Sequence, residues 1–376
     1  MSVATICIYY YLSLFRQESS ILGFNVEHAA ITILWLFFIL VFLQLLLNLR
    51  LIYSIYAHSR LSFVVVLLCV IAFTLLTQQS WLLIPFLLYL SFSDNSFRLL
   101  AKQLFIFSSI CFTAVIVTGL VLPDVGREVV DKSYSFASII GTSASSLGFP
   151  NSNHPLMYLT VIAINGAFLF TKRRERRLYA LTLFIIATAV FIATLSLTGY
   201  ICISIFLFAY AFSTKKVFRV TRALIPLVAA TALIMTPLIA QNYGQGNGNP
   251  VNEALSTRPY LWNLRVTDGA YSNIIGNSDN FQSKSVDDTS GYTLDNQYLL
   301  LIARYGWVIF MTFFYIYFVR AQKITNPAII SGLLALSIYF MLESMMFILV
   351  LSIVPVMMIG SKMAGRDKST LEPSTW

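Results

Sequence analysis

Residues 172–216 read, in succession, KRRERR, LYALTLFIIATAVFIATL, S, LTGYICISIFLFAYAF, ST and KK. A basic cluster from Lys172 to Arg177 leads into an apolar run over 178–195. Ser196 separates it from a second run over 197–212, and basic residues return at Lys215 and Lys216. A helix that crosses a bilayer needs about 20 mostly apolar residues, and Lys and Arg collect on the cytoplasmic side. The stretch reads as a membrane hairpin with both ends on one side.

Worked outward by the same ruler, the chain holds about twelve spans, near residues 2–15, 29–49, 61–78, 81–92, 100–122, 154–171, 178–195, 197–212, 223–240, 297–319, 327–343 and 345–360. The first and fourth are short, which bilayer thinning or burial against neighbours accommodates. Residues 2–15 lack a basic leader and a small-residue cleavage site, so they read as a first membrane helix rather than a signal. The fold expected is all-α and polytopic, one integral membrane domain over residues 1–376.

Composition agrees. Hydrophobic residues are 58% of the chain, against roughly 45–50% in soluble domains, and the mean hydropathy is +0.77. Charged residues are 11%, because a charge at the bilayer centre costs on the order of 2.5–3.5 kcal/mol. The net charge of +9 sits in short clusters beside apolar runs, which points to membrane orientation and not to nucleic acid. Cys7, Cys69, Cys111 and Cys202 fall inside apolar segments without paired spacing, so neither disulfides nor zinc are expected.

Crossing by crossing, with the N-terminus inside, eighteen of the 25 Lys and Arg fall on inner segments. The outer side carries Arg16, Arg127, Lys132, Arg258, Arg265, Lys284 and Arg304, together with most of the acidic residues. Two long loops, 123–153 and 241–296, then face outward. The inner loops are too short for a nucleotide-binding domain, and there is no phosphate-binding glycine loop, so direct use of ATP is not expected.

The first outer loop ends in Gly148-Phe149-Pro150-Asn151-Ser152-Asn153-His154-Pro155. Pro155 suits the first turn of a helix. Asn153 is then either a plain N-cap or, with His154, part of a polar cavity at a helix mouth that favours an anion. In the second loop Ser256-Thr257-Arg258-Pro259 reads as a helix start, which sets Arg258, Trp262 and Arg265 on one face. Tryptophan favours the membrane interface, so this helix is expected to lie along the bilayer surface. Its arginines either bind phosphate or pair with carboxylates such as Asp268. Asp279, Asp287 and Asp288 read as a solvated acidic stretch, since they lack a calcium-loop pattern. Glu343 is a lone carboxylate near the end of an apolar run, functional by default or else part of a short exposed turn. Arg304 faces the cavity or pairs internally.

Taken together, residues 148–154, then Arg258, Trp262 and Gly276, then Asp295-Asn296, Tyr298-Leu299 and Tyr305-Gly306 resemble the O-antigen polymerase and ligase superfamily over roughly residues 140–320. Ser196-Leu197-Thr198-Gly199 matches weakly a turn that in the family holds an arginine, absent here. Arg258 with Gly269 and Arg265 with Gly276 fit the family's arginine–glycine spacing. The ligases tend to carry histidine where this chain has Asp295, which favours a polymerase.

The resemblance implies a GT-C-like glycosyltransferase of the bacterial inner membrane, with both termini cytoplasmic and an outward active site. Its substrate would be an undecaprenyl-diphosphate-linked oligosaccharide joined to a second such unit, without cofactor or metal. Membrane lipid would surround it, and a chain-length regulator is a further expected partner. Arg258 and Arg265 would stabilise the diphosphate leaving group. His154, Asp295, Asp268 and, more remotely, Glu343 are candidate bases. Asn153, Trp262, Asn296, Arg304, Arg127 and Glu343 form the expected binding set. A ligase is the nearer alternative, and a lipid-linked sugar flippase or secondary transporter the more distant one.

Overall fold

The computed structural model describes residues 1–13, 26–47, 68, 70–71, 74, 83–92, 97–122, 129–131, 143–244, 249, 251, 258–267, 269–272, 274, 296–319, 324–343 and 349–363. Its helices are α1 Ser2–Leu12, α2 Val26–Leu47, α3 Leu83–Ser91, α4 Phe97–Val121, α5 His154–Ala167, α6 Arg173–Thr194 and α7 Leu197–Ala211. They continue with α8 Lys215–Tyr243, α9 Arg258–Thr267, α10 Gln297–Phe314, α11 Pro327–Leu342 and α12 Ile353–Met363. Two three-residue strands, Val129–Asp131 and Ser143–Ser145, are the exceptions to a nearly all-helical chain.

Each expected span carries a helix except 61–78, which lies largely outside the described residues together with Cys69. Among the described residues five helices are long and apolar enough to cross a membrane: His28–Leu47, Phe97–Val121, Arg173–Thr194, Lys215–Tyr243 and Gln297–Val319. Their outward residues, among them Trp35, Phe42, Ile185, Leu227 and Ile234, are apolar and exposed. Continuous apolar surface of this kind is rare in water and is what a lipid-facing helix requires. The chain is an all-α, multi-pass membrane protein.

Two boundaries differ from expectation for identifiable reasons. Lys215, Lys216, Arg219 and Arg222 form the first turns of α8 instead of a loop. Lys and Arg are good helix formers with long stems, and the Thr214 hydroxyl caps the helix by accepting from Val217 N at 3.3 Å. The expected span over 345–360 is interrupted at Val350–Ser352, between helical Leu349 and the start of α12 at Ile353, and residues 344–348 lie outside the described residues. Asn165 of α5 occupies the break: its Nδ2 donates to the Leu351 carbonyl at 2.7 Å, and its Oδ1 accepts from Ile353 N at 2.8 Å. One buried amide thus satisfies backbone groups that a continuous helix would satisfy itself.

The chain divides into two compact units. The first contains Met1–Val130, Ser145–Thr194 and Phe347–Trp376; in it α1 packs on α2 and α4, α5 on α4 and α6, and α12 on α3 and α4. The second contains Asp131–Ala144 and Leu195–Met346; in it α11 packs on α7, α8 and α10, and α9 packs on α8.

Candidate functional site

In the second unit the polar loop supplies α9, which starts at Arg258 with Pro259 in its first turn, as the sequence implies. Ser256, Thr257 and Gly276 lie outside the described residues. Pro259 and Trp262 are buried while Tyr260 and Leu264 are exposed, so the face bearing Arg258, Trp262 and Arg265 turns toward the other helices. Trp262 is 0% exposed, which corrects the expected interfacial position. Its ring packs with Ala240 of α8 and Leu299 of α10, flanked by Ile239, Val266 and Leu342. Close approach at Gly244 allows this: a Cβ there would run into the carbonyls of Ala240 and Pro259 and into Asn263 Cβ.

Arg258 meets Glu343, which directly follows α11. The Arg258 Nη2 donates to Glu343 Oε1 at 2.6 Å, with side-chain exposures of 11% and 6%. This corrects the reading of Glu343 as part of an exposed turn, and it gives Arg258 a carboxylate partner other than Asp268, which lies outside the described residues. The sequence signal was indirect. Both residues are isolated charges in apolar or outer settings, 85 positions apart, and only tertiary packing pairs them. Two charges taken out of water cost several kcal/mol each, so such a pair persists only where the geometry is good. Arg265 lies in the last turn of the same helix, half-buried, where a cation also complements the helix dipole.

The start of α10 forms the neighbouring wall. Asn296 is fully buried; its Oδ1 caps the helix by accepting from Leu299 N at 3.0 Å, and its Nδ2 donates to the Thr236 hydroxyl at 3.1 Å. The first interaction caps α10 and the second ties it to α8, so Asn296 has a complete structural role. Within α10, Gly306 adopts φ 78 and ψ 172, which breaks the helix expected to run on from 297. That conformation belongs essentially to glycine. The break is used by the polar loop: Val308 N donates to the Ile274 carbonyl at 3.2 Å, and Trp307 Nε1 to the Tyr271 carbonyl at 2.8 Å. Burial pushes the Tyr271 phenol up to about 12. Just before the break, the Arg304 guanidinium lies 5.8 Å from the centroid of the Tyr305 ring.

Asn153 and His154 belong to the first unit. Asn153 occupies the N-cap position of α5, with Pro155 in the first turn, yet its side chain makes no cap hydrogen bond. Instead Asn151 Oδ1 accepts from Asn153 N at 2.8 Å. The preceding turn forms as expected, with Gly148 at φ 85, pressed so closely on Val115 and Gly119 that a Cβ would not fit. Phe149 anchors it, 5.5 Å from the rings of both Phe112 and Tyr158. Arg127, Asp295, Asp279, Asp287 and Asp288 lie outside the described residues.

The structure therefore brings together Arg258, Trp262 and Glu343, with Asn296 and Arg304 on the adjoining helix. A buried ion pair can orient hydroxyl groups, hold a carboxylate ionised, and place a guanidinium near an anion. No protein-family model, characterised protein or solved structure matches the chain.

Proposed function

We propose that the chain is a glycosyltransferase of about twelve spans and GT-C-like architecture, which joins repeat units carried on undecaprenyl diphosphate at the outer face of a bacterial inner membrane. The observation that carries this reading is the buried Arg258–Glu343 pair, beside Trp262 on the same helix as Arg258. In an otherwise apolar chain, ionisable groups kept in such a place are functional by default. The order of the motifs along the sequence, from Asn153 to Gly306, resembles that of the polymerase and ligase superfamily.

In this scheme the acceptor hydroxyl oxygen attacks the anomeric carbon of the donor sugar. The bond from that carbon to the diphosphate oxygen breaks, and the electron pair leaves with the diphosphate. The acceptor proton passes to a carboxylate, for which Glu343, Asp295 and Asp268 are the candidates. Diphosphate is a good leaving group, so the protein supplies alignment and charge. Arg265 serves the diphosphate, while Arg258 is shared between that charge and Glu343.

Replacing Arg258 or Arg265 by Ala, and separately by Lys, tests the reading in cells through polysaccharide length on protein shown to insert normally. Loss of polymer is expected from both Ala variants. Polymer of normal length from both would sink the proposal. Rescue by Lys would assign charge, and failure of Lys would assign the two-pronged guanidinium.

The break at Gly306 favours a second reading, a carrier of lipid-linked sugars, because interrupted helices mark transporter binding sites. Counterflow across liposomes without new glycosidic bonds would select it.

A further inference from the structure

Two buried aromatic side chains accompany the Arg258–Glu343 pair, one on each of the two helices that bring it together. Trp262 follows Arg258 by four residues and Tyr339 precedes Glu343 by four, so each lies on the same helical face as its charged neighbour. The Glu343 N–H donates to the Tyr339 carbonyl at 2.8 Å, which fixes the register at the end of α11. The Tyr339 phenol is within electrostatic reach of Glu343, Arg258 and Cys202. Trp262 and Tyr339 are both 0% exposed.

Two other aromatic donors in this unit find acceptors, while the Tyr271 hydroxyl in the polar loop has none among the described residues. Trp307 Nε1 donates to the Tyr271 carbonyl and the Tyr298 hydroxyl to the Ser337 carbonyl, each at 2.8 Å. Among the described residues Trp262 Nε1 and the Tyr339 hydroxyl have no hydrogen-bond partner. Unsatisfied buried donors are rare enough in native proteins to call for an explanation. Here two of them flank one ion pair.

We infer that Trp262, Tyr339 and the Arg258–Glu343 pair form a subsite for uncharged hydroxyl groups, the acceptor sugar of the glycosyl-transfer reading, on which this inference rests. Charge selects the ligand class. Arg258 and Glu343 cancel at 2.6 Å, so the cluster offers donors and acceptors without net charge and suits a polyol better than a diphosphate. The indole N–H can only donate, the phenol donates and accepts, and the carboxylate accepts; a sugar carrying several hydroxyls meets all three. Arg265 then carries the larger part of diphosphate binding, beside the share of Arg258.

Tyr339→Phe is the test, because it removes one oxygen and keeps the ring. An orphan hydroxyl without a role costs stability, so its removal from a merely structural site leaves activity intact and raises stability. A hydroxyl that holds acceptor sugar gives a different result: a fall in kcat/KM of roughly threefold to tenfold with the fold unharmed. The substrate is the lipid-linked repeat extracted from cells lacking the gene, supplied to purified protein. Inhibition by inorganic diphosphate is expected to be unchanged in the variant. Wild-type kcat/KM in Tyr339→Phe beside an active parent overturns the subsite alone, as does weakened diphosphate inhibition or reduced folded yield. A parent that forms no glycosidic bond overturns the transfer reading itself.

Discussion

Breaking the Arg258–Glu343 pair from either side is expected to give unequal losses, and the inequality follows from the chemistry of the two groups. Their N···O separation of 2.6 Å gives a gross attraction of about 6 kcal/mol at an effective dielectric of about 20, much of it offset by desolvation. Removing one partner leaves the other buried and unmatched, at a cost of about 3–5 kcal/mol. In Arg258→Met the stranded carboxyl has an escape, since it can take up a proton. Neutralising an ordinary Glu at pH 7 costs at most about 3.7 kcal/mol, and that cost shrinks as the pH falls. In Glu343→Gln the stranded guanidinium has no such escape, because it stays charged throughout the accessible range. Glu343→Gln is therefore the more damaging change at pH 7. Arg258→Met recovers stability as pH falls toward 5, where the folded form holds a proton that the unfolded form has released. The double change to Met at both positions returns most of the loss. Equilibrium unfolding in mixed micelles, run as a double-mutant cycle at pH 7 and pH 5, measures all three. Single changes each costing under about 0.5 kcal/mol with no coupling would refute the reasoning, since that is how a solvent-screened pair behaves.

Gly306→Ala forces a side chain into φ 78, ψ 172 and is expected to cost about 1–3 kcal/mol; it should also expose the loop at Ile274 to proteolysis, read by cleavage in nanodiscs. Asn296→Ala removes the cap on Leu299 and the bond to Thr236. A loss of about 1 kcal/mol in unfolding free energy is expected, whereas Thr236→Val alone should cost less because the cap survives. Asn165→Leu strands the Leu351 carbonyl and the Ile353 N–H. At about 1–3 kcal/mol for each buried group, it should be the most destabilising change in the first unit, visible as loss of folded yield on size exclusion.

The membrane class was legible because it rests on composition and on periods of about 20 residues, which no tertiary detail alters. Helix starts with chemical signals were legible too: Pro155, Arg258-Pro259 and Asn296 each sit at the terminus their residue types imply. What escaped the sequence is what depends on distant partners. Nothing local announces that Glu343 meets Arg258, or that Asn165 caps the chain ahead of α12. Trp262 misled because indoles favour both interfaces and packed junctions, and only Gly244 allows the close approach that buries it. Gly306 was visible as a glycine inside an apolar run. At its positive φ the Tyr271–Ile274 segment docks on Trp307 and Val308, partners more than thirty positions apart in sequence.

The central claim is chemical, and purified protein in nanodiscs given only the lipid-linked repeat tests it most directly. Glycan products resolved by mass should show dimers and longer multiples of the repeat on the lipid, with free undecaprenyl diphosphate appearing in step and no nucleotide required. Unchanged substrate would contradict the account, as would transfer seen only when a different acceptor is supplied.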